Sequence, residues 1–174
     1  MKKISFIISI FLLSINLTNA QTLNGEESKV IFNITKLGGK TLEGTFGGMK
    51  GEIRFDETDL DNSSFKVSID PATVNTESKK RDKDLRNDKY LHVEEYPVIR
   101  FESGSIKKTK EGFLTAGKLF MHGVSKEVEI PFTYKDGKFT GKLEVNRFDY
   151  KIAEGTKTKT VGEIASVEII AVLN

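Results

Sequence analysis

Two histidines, His92 and His122, are the side chains in this 174-residue chain best suited by ordinary pKa to move protons near neutral pH. A nucleophile needs a base beside it, and a metal needs clustered ligands. The chain has no cysteine, no Gly-x-Ser-x-Gly elbow and no His-Glu-x-x-His pair. His122 stands beside Gly123 at a hairpin, where a lone histidine without partners in sequence is expected to cap a loop or lie on the surface. The acidic run Asp56-Glu57-Thr58-Asp59-Leu60-Asp61 lacks the central glycine and terminal glutamate of an EF-hand, so it reads as a turn. No catalytic residue, metal ligand or cofactor is assigned. The residue types argue for binding rather than catalysis.

The beginning of the chain reads as an address. Lys2 and Lys3 precede an apolar run from Ile4 to Leu17, and Thr18-Asn19-Ala20 ends it with a small residue before Gln21. That is the layout of a secretory signal peptide, too short and serine-rich for a comfortable membrane span; an uncleaved anchor is the alternative. Residues 1–20 are therefore expected to be removed, and the mature protein to be exported to the periplasm or outside the cell, with no stable membrane insertion. The chain has 27 Lys and Arg against 25 Asp and Glu; residues 1–20 hold two lysines and no acid, so residues 21–174 balance to zero. A neutral surface argues against nucleic acid as a partner, because phosphate binding needs concentrated positive charge. Residues 21–174 form one domain's length, and without cysteine it must be held together by sheet and core.

The elements that must carry any site are strands. Phe65, Val67 and Ile69 share a face, as do Val128, Ile130, Phe132 and Tyr134, and Phe139, Leu143 and Val145, each set opposite polar neighbours. Weaker alternation marks 29–36, 41–47, 51–56, 98–103, 113–121 and 164–172. Asp136-Gly137 is a strong hairpin signal, and residues 122–126 read as a slightly longer hairpin loop. The charged stretch Thr76–Leu91 breaks the pattern and predicts a short helix and loop, with Thr76 as N-cap, ending before Pro97. About eight short antiparallel strands with one helix or loop insertion predict an all-β sandwich or closed barrel.

Glycines favour the barrel. Gly44, Gly47, Gly48 and Gly51 crowd the stretch GTFGGMKGEIRFD, where glycine should weaken a strand but can bend one into a curved hairpin or corner. Gly117 shares a phase with Leu119 and Met121, and Gly141 with Phe139, Leu143 and Val145. Both point no side chain inward, which either bends the backbone or leaves room for a ligand; the residues leave that choice open.

The segments GTFGGMKGEIRFD, TVNTESKKRDKDLRNDKYLHVEEYPVIRFES, GKLFMHGVSKEVEIPF and NRFDYKI resemble, in order, the signature segments of the YceI-like family, from about Val30 to Leu173. The most specific part is Arg81-Asp82, Leu85-Arg86, Tyr96-Pro97, Phe101-Glu102-Ser103 and the His122-Gly123-Val124 turn. Lys151 departs from the pattern, standing where the family usually has glycine. The resemblance implies an exported, lipocalin-like closed antiparallel barrel whose long apolar tunnel binds a polyisoprenoid or similar lipid. Within that picture, phase assigns Phe65, Val67, Ile69, Ile99 and Phe101 to the interior. Gly117, Leu119, Met121, Val128, Ile130, Phe132, Gly141, Leu143 and Val145 join them. Arg81, Arg86 and Arg147 are candidates for contacts to a ligand head group or for ion pairs with carboxylates, the latter being the expected role. Alternatives are a solid-packed structural or stress-response module of the envelope and, least favoured, an enzyme acting on lipid. A homodimer is left open.

Overall fold

The computed structural model describes residues 20–174, so the expected leader lies outside the described residues apart from Ala20. Ten strands form: β1 Gln21–Thr22, β2 Lys29–Lys36, β3 Thr41–Phe46, β4 Lys50–Arg54, β5 Ser64–Ile69, β6 Ile99–Thr109, β7 Gly112–Met121, β8 Val124–Lys135, β9 Lys138–Asn146 and β10 Val161–Val172. One α-helix among the described residues, α1, spans Lys79–Arg86. The strands build a single antiparallel sheet in the order β1-β4-β5-β6-β7-β8-β9-β10-β2-β3. Phenylalanines from β3, β5, β6, β7, β8 and β9 meet in one core, so the sheet curls round upon itself.

The all-β class with one short helix stands, but the expected closed barrel of about eight strands is corrected to a curled sheet of ten. Its end strands, β1 and β3, are not paired with each other. The seam is crossed by the isolated bridges Leu23 with Leu173 and Thr45 with Asn75, and by single bonds such as the Asn24 N–H to the Val172 carbonyl (2.8 Å). Residues 47–49 explain why: they form a corner, not a hairpin, sending the chain from β3 to β4, which pairs with β1 and β5. At Gly51, φ is +135°, and a Cβ there would fall on the Lys66 carbonyl of β5. That combination of backbone angle and close approach is open to glycine alone.

The turns follow their residues. Asp136-Gly137 and His122-Gly123 both have positive φ at both positions, the geometry that matches the twist of paired strands in a two-residue hairpin. The His122 loop is thus shorter than its sequence predicts. Helix α1 is capped by Ser78, whose side chain makes no capping bond. Thr76 instead donates both its N–H (2.9 Å) and its hydroxyl (2.6 Å) to Asp82 Oδ1.

The interior has two storeys. At the end where β6 turns into β7 and β8 into β9, Phe55 sits among Phe65, Phe113, Phe132, Tyr134 and Phe139, with ring centroids 5.1–6.0 Å away. Edge-to-face contacts at such separations fill that end solidly. The other storey is hollow.

Candidate functional site

Above the aromatic floor lies a cavity of about 360 Å³, within the roughly 300–1,000 Å³ of sites that hold small molecules. Alternation along the strands supplies its wall: Val67 and Ile69 from β5, Ile99 and Phe101 from β6, Leu119 and Met121 from β7, Ile130 from β8, Leu143 and Val145 from β9. Phase aims Val67, Ile99, Leu119, Leu143 and Val145 inward, yet each is only half-buried. In a solid core such side chains would be covered; here they face open space.

Nine of the fourteen interior residues expected from sequence therefore line the hollow, and five do not. Phe65 and Phe132 belong to the aromatic floor, and Val128 packs against the core without lining the cavity. Gly117 is a point of close approach: a Cβ there would fall on the Glu102 carbonyl, next to the bulge between Ser103 and Ser105. A Cβ on Gly141 would meet Ile130 Cγ2 at 3.0 Å and Phe132 Cβ at 3.7 Å, so it is neither a gap in the wall nor, with ordinary φ, a hinge. Period-two phase gives the face of a strand but not the height along it. The remaining wall comes from β2, β3 and β10, through Val30, Phe32, Ile34, Leu42, Ala165, Val167 and Ile169. Those strands alternate weakly in sequence, and their shared face was the available signal.

Two segments supply much of the rim, which mixes polar with apolar side chains. On one side, α1 and the turns after it bring Arg81, Asp84, Leu85, Tyr90 and Leu91 to the opening; on the other, the loop between β9 and β10 brings Ile152 and Ala153. The Ala153 N–H donates to the Lys89 carbonyl (3.0 Å) and joins the two. The expected ion pairs of the three arginines are replaced by bonds to hydroxyl and carbonyl oxygens. Arg81 donates to the Thr76 hydroxyl (2.8 Å) and carbonyl (3.1 Å), and Arg86 to the carbonyls of Ala72 (2.7 Å) and Val74 (3.0 Å). Arg86 does not line the cavity.

Arg147, 6% exposed, spends every N–H on backbone. Nε donates to Gly162, Nη1 to Ile152 and Ala153, and Nη2 to Thr156 and Val161, at 2.7–3.3 Å. Its guanidinium also lies 3.9 Å over the Phe148 ring. No donor is left for a head group. Burial lowers its pKa without neutralising it, so a cation with no carboxylate partner among the described residues remains in the wall. The Thr76 hydroxyl holds the Asp82 carboxyl below its usual range, which fixes α1 to the segment before it. Lys151, in the position expected to be glycine, adopts φ +57° and ψ +23°, the left-handed conformation where glycine is the ordinary choice.

The two histidines flank Tyr96, with centroids 5.7 Å (His92) and 4.6 Å (His122) from its ring. His122 Nδ1 lies 2.9 Å from the Tyr150 carbonyl, which can only accept, so Nδ1 carries the proton and the ring caps that turn. His92 pairs with Glu95 at 3.3 Å near the surface. Among the described residues no group of three potential metal ligands converges, and no helix is long and apolar enough to cross a membrane.

A model of the YceI-like domain matches residues 21–173. A UPF0312 protein of Serratia proteamaculans is 33% identical over 156 residues, covering 83% of this chain and 81% of that protein. Among solved structures, Burkholderia cenocepacia BcnA superposes with a TM-score of 0.77 at 21% identity, over 87% of this chain and 99% of its own. A polyisoprenoid binding domain from Saccharophagus degradans superposes with a TM-score of 0.69 at 16% identity, over 89% of this chain and 98% of its own. At those identities, both likenesses speak for the fold.

Proposed function

The chain belongs to the YceI-like domain family, and on that premise we propose that it is an exported binding protein that holds one long-chain apolar lipid, of polyisoprenoid type, in the cavity. The observation that carries this reading is the ring of inward-facing apolar side chains left half-buried around the hollow. Left unfilled, a hollow of about 360 Å³ forgoes the packing contacts that its apolar walls could otherwise make. Water is a poor filler, since a buried water needs two to four polar partners and these walls offer few. An apolar chain covers the walls without needing any.

In this reading the bridged seam acts as a closed wall and the aromatic floor as a stop. The ligand enters tail first through the rim. Contacts are almost wholly apolar, each covered side chain gaining on the order of 1 kcal/mol, so selection is by length and shape. The similarity to a polyisoprenoid binding domain supports the ligand class. No residue is given a catalytic role. The leader-like composition of residues 1–20 supports export, and an intact mass beginning at Gln21 would bear it out, whereas a full-length mass in the membrane fraction would refute it.

The test is mass spectrometry of an organic extract of the purified protein. A long-chain apolar lipid near one mole per mole is the expected result. Protein that yields no lipid, and takes up none when offered a polyprenol, would overturn the proposal.

A further inference from the structure

The rim carries a second kind of surface. The turn between β2 and β3 meets the end of the loop before β10. There the Leu37 N–H donates to the Thr160 carbonyl (3.0 Å), and Lys36 pairs with Val161. Lys36 and Val161 both line the cavity, so this junction is part of its mouth. Leu37 stands at the junction with 70% of its surface exposed, more than any other large apolar side chain among the described residues. Gly38 and Gly39 follow it with nothing near where their side chains would be, so the leucine projects alone.

Lysines outnumber carboxylates around it. Residues 34–42 and 155–162 hold Lys36, Lys40, Lys157 and Lys159 and no carboxylate; Glu43, Glu154 and Glu163 stand just outside. None of the four lysines is in an ion pair among the described residues. Residues 21–174 carry no net charge, so the cluster is a local concentration. At the floor end, the turns 24–28, 55–63, 107–112 and 135–138 carry five lysines against eight carboxylates, the opposite balance.

We propose that this patch docks the mouth of the cavity on an anionic lipid bilayer, with Leu37 entering the headgroup layer and the four lysines meeting lipid phosphates. The proposal rests on the lipid-binding reading above, since an apolar cargo has to be collected from a membrane and returned to one. Lysine ammonium groups are hydrated point charges on flexible stems, which suits diffuse attraction to a charged surface better than a fitted protein contact. A specific protein partner would need a broad complementary face with a packed apolar centre. One protruding leucine beside two glycines does not supply that. Each lysine near an anionic surface is worth about a five-fold gain in partitioning, so four give a reversible, salt-sensitive attachment.

All strands and the α-helix of the described residues lie within residues 21–174, the expected mature chain, so that chain is used for the test. It is sedimented with vesicles of phosphatidylcholine alone, or with about one-third phosphatidylglycerol added, at low and high salt. Wild type should sediment with the anionic vesicles, less so at high salt, and not with the neutral ones. Lys157→Gln should weaken partitioning about five-fold and the Lys157→Gln/Lys159→Gln pair about twenty-five-fold. Leu37→Ser should weaken it as well, while Lys108→Gln at the floor end should not. All these positions are exposed, and circular dichroism checks that the fold is intact. The proposal is overturned if wild type ignores anionic vesicles, if the double variant binds them as wild type does, or if the patch retains an acidic soluble protein while vesicles are ignored. Extractable lipid is measured on the same preparations. Protein that is lipid-free, takes up no offered polyprenol and still docks through the patch refutes the cargo reading and supports docking; lipid-loaded protein that does not dock refutes docking alone.

Discussion

Replacing Arg147 separates a structural arginine from one that greets a ligand. In Arg147→Met, the carbonyls of Ile152, Ala153, Thr156, Val161 and Gly162 lose their donors together. Ala153 is buried, whereas Thr156, Val161 and Gly162 lie nearer solvent and can turn some carbonyls to water. Two or three acceptors without a partner, at roughly 1–3 kcal/mol each, together with the stacking on Phe148, set the expected loss at about 3–5 kcal/mol. Relief from burying a lone cation offsets part of this, which is why the figure is not larger. Arg147→Lys keeps the charge but cannot span five carbonyls from one nitrogen, so it should recover less than half of the loss. Urea unfolding gives the stability, and amide exchange over residues 151–162 shows whether the loop opens first. A methionine variant within about 1 kcal/mol of wild type that had nonetheless lost its lipid would refute the structural role and restore a head-group role.

Three further outcomes follow from side chains already placed. Gly141→Leu should lose stability, by about 1–3 kcal/mol or more, because Ile130 and Phe132 already occupy the space; unchanged thermal unfolding would show that a gap exists there. Lys151→Gly should raise stability by about 1 kcal/mol, since it relieves a left-handed lysine; a drop in the urea midpoint would refute this. Burial pushes the Tyr150 hydroxyl up to about 12. The unfolded chain therefore ionises first, and the contribution of Tyr150, intact below about pH 10, should be lost as pH rises towards about 12, by roughly 2 kcal/mol. Wild type and Tyr150→Phe showing the same decline across that range would contradict it.

The sequence was most legible where one face of a strand is dry. Phe65, Val67 and Ile69 point inward as their alternation requires, and Asp136-Gly137 turns as its residues demand. Alternation could not show that Phe65 and Phe132 fill a floor while Val67 and Leu143 line a hollow, because height within the curl depends on register across many strands. Closure was misjudged for a related reason: the glycines of GTFGGMKGEIRFD bend the chain, but only pairing shows that β3 and β4 part at that bend. The arginines were expected to meet carboxylates and are partnered otherwise. Their acceptors are carbonyls of a loop and of the segment before α1, which no spacing of carboxylates reveals. Thr76 was expected to cap a helix and instead anchors it through Asp82, a six-residue reach outside the usual capping pattern.

The central claim is that the hollow exists to be filled by a ligand, and Val167→Phe tests it most directly. Val167 lines the cavity between Phe32 of β2 and Leu143 of β9, with its side chain half-buried. The larger ring should enter space otherwise held by lipid, so thermal stability of the lipid-free protein should hold or rise while extractable lipid per mole of protein falls several-fold. A phenylalanine variant that keeps its full complement of lipid, or that is destabilised by the 1–3 kcal/mol typical of an overpacked core, would contradict the account.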